Sequence, residues 1–158
     1  MLHHPTLNMH MVADQVVRSA IKLVNREGQE RTGAYFCVIH RPTLQMVLHT
    51  LIGDGPSDKI AKWREFSAEK AIRLLGHQPY NQTSYESRAP ENDRYGGAVI
   101  GTDYALSLSG LKELDDEAAM LLAAIRLGQR TREQTLATVS EERNPRLRHF
   151  LKEVHWTE

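Results

Sequence analysis

With 158 residues the chain is long enough for a buried core and too short for two ordinary domains, so a single domain over 1–158 is expected. Lys plus Arg and Asp plus Glu each total 20, which leaves no net field to draw the chain to nucleic acid or anionic lipid. The apolar fraction of 41% excludes general disorder, and apolar runs such as Met46–Leu48 and Met120–Ile125 fall far short of the ~20 residues of a membrane span. The first eleven residues, MLHHPTLNMHM, hold no Lys or Arg and no continuous apolar stretch, so no secretory signal is expected. Cys37 is the only cysteine and cannot form an internal disulfide, in keeping with a cytoplasmic protein.

From Asn8 to Glu27, Val12, Val16, Val17, Ala20, Ile21 and Val24 recur at spacings of three and four, which predicts a helix ended by Gly28. Tyr35–Ile39 and Leu44–Ile52 flank Arg41-Pro42-Thr43 and read as a β-hairpin. Gly53-Asp54-Gly55-Pro56 breaks the chain before a second helix, capped by Ser57 or Asp58 and ended by Gly76. Residues 77–95 read as a loop, long enough to be a lid or a mobile segment, with Tyr80, Tyr85 and Tyr95 available to pack it down or line a site. Ala98–Ile100 and Tyr104–Ser109 follow as strands, the second with Ser107 and Ser109 on one face and Leu106 and Leu108 on the other. A third helix begins near Leu111 and ends at Gly128, and helical pieces are expected around Glu133–Glu142 and Pro145–Val154. The order predicts an α+β fold, an antiparallel sheet flanked by helices.

Counting back from a hairpin centre at Pro42-Thr43 pairs Phe36 with His49 and His40 with Gln45. Phe36, Val38, His40, Val47 and His49 would then share a face of apolar and imidazole groups, suited to a flat apolar ligand or to iron ligation, against the plainer reading of two sheet histidines. His77, just past the second helix, reads as a C-terminal capping residue and secondarily as a ligand. Lys70 can meet an anionic substituent or pair with a neighbouring acid. Cys37 in an apolar strand reads as core. His3, His4 and His10 are assigned no metal, and Asp115, Asp116 and Glu117 are read as dipole-favoured residues at the start of a helix.

Five short motifs, in order, resemble the GlcG/HbpS-like (haem-degrading domain, PduO C-terminal-like) family over residues 10–128, with 129–158 as a C-terminal helical extension. They are the Asp54-Gly55 turn, Lys70-Ala71, Gly96-Gly97, Ser109-Gly110 closing the last strand, and the acidic run Asp115-Asp116-Glu117. The chain departs from the family's pattern in having Leu51-Ile52-Gly53 rather than an arginine before the turn, and no proline after Gly96-Gly97. The resemblance implies a profilin-like fold, homo-oligomeric assembly, and haem or another small molecule as ligand in some members. Three functions stay open: a small-molecule-binding protein that takes haem; an enzyme acting on haem or a small carboxylate, with Lys70 as anion contact; and an oligomeric scaffold without ligand. His40, His49, Lys70 and His77 are the candidate ligand-binding residues, and no nucleic-acid or membrane partner is expected.

Overall fold

A computed structural model describes residues 5–154 of the chain. The first amphipathic stretch forms α1 (Pro5–Arg26), which buries Val16, Val17, Ala20, Leu23 and Val24 along one stripe. Gly28, at φ +96°, lets the chain turn back so that Gln29 N donates to Val24 O at 3.0 Å and Gly28 N to Asn25 O at 3.1 Å. These paired bonds satisfy carbonyls that the helix end would otherwise leave open.

The hairpin consists of β1 (Gly33–His40) and β2 (Gln45–Gly53). Next come α2 (Ser57–Gly76), β3 (Ala98–Ile100), β4 (Tyr104–Ser109), α3 (Glu113–Arg126), α4 (Arg132–Thr138) and α5 (Pro145–Glu153). All strand pairings are antiparallel and the sheet order is β2-β1-β4-β3. Phe36, Val38, Ile52, Leu106 and Leu108 turn to the face covered by α1 and α3. Cys37, Ile39, Ala98, Ile100 and Ala105 turn to the opposite face, where Ala71 and Leu74 of α2 cover them. The expected α+β class is thus the observed one, and α5 packs on the outside of α3.

Two local expectations, the hairpin register and the capping of α2, are corrected, and the long loop takes one of its open alternatives. The hairpin register slips between Val38 and Ile39, so His49 pairs with Cys37, and Phe36 pairs with Thr50, while His40 keeps its partner Gln45. The extra residue is Val47, which lies between the partners of Val38 and Ile39, and a bulge of this kind turns every later side chain to the other face. His49 therefore lies on the α2 side, whereas Phe36, Val38 and His40 lie on the α1/α3 side, and no shared apolar-imidazole face forms.

The N-cap of α2 is Pro56, with no side-chain capping bond from Ser57 or Asp58. The loop at 77–95 is packed down rather than left as a free flap. Thr83 caps a 3-10 turn at Ser84–Ser87, Ala98 N donates to Ser84 Oγ at 3.0 Å, and Ile100 N donates to Gln82 O at 3.0 Å. The nearly buried side chain of Arg73 in α2 donates to Ser84 O, Ser87 Oγ and Tyr95 O, fastening the middle and the far end of the segment.

Candidate functional site

The ammonium of Lys70, on the inner side of α2, is the centre of the candidate site. Lys70 is 2% exposed; its Nζ donates to Leu108 O at 2.8 Å and to Asp116 Oδ2 at 3.3 Å. Of its three N–H groups, two are thus engaged and one is left for another acceptor. Asp116, in the first turn of α3, is equally buried, and its Oδ1 accepts from Leu111 N at 3.0 Å. Burial raises the Asp116 carboxyl to about 7, against the opposing pull of Lys70 and the Leu111 amide. A carboxyl beside an ammonium in a pocket can hold or release a proton near neutrality.

Gly97, at φ +128°, makes this pair possible. A methyl group there would stand 2.8 Å from Lys70 Nζ and 3.0 Å from Asp116 Cβ. Its neighbour Gly96 donates its N–H to Glu113 Oε2 at 2.8 Å. Gly110, at φ +150°, crosses Ala34 so closely that a Cβ would lie 2.6 Å from Ala34 Cα, and its carbonyl accepts from Arg31 Nη1 at 3.1 Å. Gly55 seats the ring of Trp63, where a Cβ would fall 2.7 Å from the indole.

These contacts border one pocket of about 440 Å³, between α2, the end of β4 and the N-terminus of α3. Trp63, Phe66 and Tyr95 form an aromatic wall, the last two edge to face with centroids 5.9 Å apart. Arg31, Lys70 and Lys112 bring positive charge, and Glu113 and Asp116 negative. Both acids have partners within the fold, Glu113 in Arg88 and Asp116 in Lys70. All five motifs singled out in the sequence meet in or beside this pocket: Gly55 through Trp63, Lys70, Gly97 with Gly96, Ser109 with Gly110, and Asp116. Sequence reasoning missed Arg31, Trp63 and Phe66, which only the packing brings to the motif residues.

Of the other predicted site residues, none joins Lys70. His40 Nδ1 lies 2.8 Å from Thr43 Oγ1 and its ring leans on Tyr104. His77 is the C-cap of α2, where its Nδ1–H donates to Arg73 O at 2.8 Å. His49 packs edge-on against Tyr35 and donates Nε2–H to Arg64 O at 3.0 Å. Burial lowers the His49 pKa, which keeps the ring neutral at pH 7 with its Nδ1 lone pair available. It borders a second, open groove of about 750 Å³ beside α2, with Ala61, Ala68 and Ile72 as apolar floor and Arg64 and Arg94 at its margin. Cys37 is a buried free thiol pushed up to about 12 by desolvation, which removes it as a thiolate ligand. His3 and His4 lie outside the described residues.

The acidic run does more than favour a helix dipole. Asp115 accepts from Arg146 Nε at 2.6 Å, Asp116 holds Lys70, and Glu117 pairs with Arg143, whose guanidinium lies 4.0 Å over the Tyr85 ring. All three acids are buried, and two of their partners come from the C-terminal extension.

No protein-family model matches the chain, and no curated protein does. Among solved structures, the Klebsiella pneumoniae protein ORFY, of family-model DUF336, superposes with TM-score 0.51 and 14% identity, covering 75% of this chain and 88% of that one. Ybr137w protein superposes with TM-score 0.55 and 16% identity, over 80% of this chain and 78% of that one. A PduOC:heme complex aligns at TM-score 0.47 and 12% identity, over 74% and 90%. The chain shares the fold of ORFY, so the resemblance drawn from the motifs holds at the level of the fold. No helix among the described residues is long and apolar enough to cross a membrane.

Proposed function

We propose that the protein binds a small organic molecule in the pocket around Lys70, working as a cytoplasmic homo-oligomer. The observation that carries this reading is the convergence of five separate sequence motifs on one cavity, each supplying a group or a space that the cavity needs. Glycines, which lose more backbone freedom on folding than other residues, a buried ion pair and half-buried aromatic rings cost stability, and a fold that keeps all three together has a ligand to account for them. A melting screen against small metabolites tests it, with the wild type beside Phe66→Ala. A saturable rise in melting temperature that is lost in Phe66→Ala is the expected result. Ligands that stabilise both proteins equally would place binding elsewhere.

A second reading, haem, is favoured by His49 at the open groove. A neutral imidazole, an apolar floor and the guanidinium groups of Arg64 and Arg94, beside Glu65 and an Arg73–Glu69 pair, suit a flat ring system with carboxylate substituents. Haemin titrated into the wild type should give a saturable Soret shift that His49→Ala abolishes. An unchanged spectrum in His49→Ala excludes His49 as the axial ligand.

A further inference from the structure

Resting on the Lys70 pocket as a binding site, we infer that its ligand class is a planar organic carboxylate, whose charged end sits against Ser109, Arg31 and the N-terminus of α3. The Ser109 side chain is the main indicator. It is 5% exposed and borders the pocket, and among the described residues no hydrogen bond engages its hydroxyl, which leaves that group open to an acceptor or donor in the cavity. The N-terminus of α3 opens at the same place. Its N-cap, Lys112, supplies no side-chain bond, so the first-turn N–H groups of this 14-residue helix lack that cap.

Charge within the pocket points the same way. Arg31 spends one N–H on Gly110 O, and Lys112, the N-cap residue, makes no side-chain capping bond. The neighbouring acids do not oppose an incoming anion freely: Glu113 is held by Arg88 and the Gly96 amide, and Asp116 by Lys70 and the Leu111 amide. Helix N-termini, hydroxyls and guanidinium groups together are a receptor for an oxyanion. The opposite wall is aromatic, with Trp63 and the edge-to-face pair Phe66 and Tyr95, which fits a ring or a conjugated plane rather than a compact inorganic anion.

The test follows the Trp63 indole N–H by NMR, assigned with Trp63→Phe, while benzoate, its neutral amide benzamide, and acetate are titrated into the full-length protein. Benzoate should give a saturable shift, with benzamide and acetate each weaker by about tenfold or more, as loss of a charge-assisted bond or of ring burial requires. Ser109→Ala and Arg31→Gln should each weaken benzoate, Ser109→Ala while leaving the melting temperature of the free protein nearly unchanged. Equal binding of benzoate and benzamide would overturn the carboxylate inference and leave the pocket standing as a binding site. Acetate binding as well as benzoate would overturn the planar class. If none of the three moves the indole, the inference falls, and if the metabolite screen also finds nothing that depends on Phe66, the reading of the pocket falls with it.

Discussion

Asp116 gives the site a pH signature whose sign can be worked out. The ordinary value of its carboxyl is 3.8 and burial raises it to about 7, so between those limits the folded chain holds a proton that the unfolded chain has released. Stability from this group is therefore full below about pH 4 and is lost as pH rises through 7. Asn mimics the protonated acid, and Asp116→Asn should gain on the wild type in melting temperature as pH is raised from about 4 to 7. A difference that stays flat across that range would show that the carboxyl ionises normally. Gly97→Ala should cost about 1–3 kcal/mol in urea unfolding, because both φ and the contact with Lys70 Nζ resist a side chain. Lys70 was legible in the sequence as a motif residue, but the plainer expectation, an exposed helix lysine pairing with Glu69 or another nearby acid, fails: Lys70 is buried and Glu69 pairs with Arg73. That its acid is Asp116, 46 positions away, was not legible, because only the packing of α2 over β4 brings them together. Arg31 carried no local signal for the same reason, and Trp63 could be read only as part of the second helix after the Gly-Pro turn, not as a pocket wall.

At the scale of elements, patterning decided most boundaries, and ambiguity in the patterning produced the main error. All three predicted main helices and both hairpin strands form within a few residues of their expected ends, since apolar periodicity and Gly28 and Gly128 mark them. The hairpin register failed because Val47 and Leu48 are both apolar, so strict alternation gives no sign of which of the two is the extra residue. That one slip separates His40 from His49. The first turn of α3 was read as helix-dipole chemistry, while its acids are anchors for α2 and α5. Arg143→Ala should cost about 3–5 kcal/mol, because it leaves the buried Glu117 unpaired. Arg18→Ala, which removes an exposed pair with Asp14 one turn away on α1, should cost less than about 1 kcal/mol. Urea denaturation of the two variants side by side checks the contrast, and equal losses would deny the acidic run its anchoring role.

For the whole molecule, the sheet ends differently at its two edges. β3 has three residues and is bridged on its outer side by Thr83, so that edge is covered. β2 has nine residues, pairs only with β1 among the described residues, and contains no charged residue and no proline from Gln45 to Gly53. Open edges of this length are ordinarily blunted by lysine, proline or a covering loop. The surface continues onto α1, where Leu7 and Met11 are exposed, and Leu48 and Thr50 share a shallow groove with Thr6, Leu7 and His10. A second copy related by a two-fold axis would pair β2 with itself antiparallel and run one sheet through both molecules, the self-complementary contact that two-fold symmetry demands. Homo-oligomerisation at this edge is accordingly tested with Met46→Lys combined with Leu7→Lys, two exposed positions whose replacement leaves the core untouched. Light scattering after size exclusion should give a multiple of 18.0 kDa for the wild type and the monomer mass for the double variant, with circular dichroism unchanged. A monomeric wild type would remove the assembly from the proposed function, and an oligomer that survives both lysines would move it to another face.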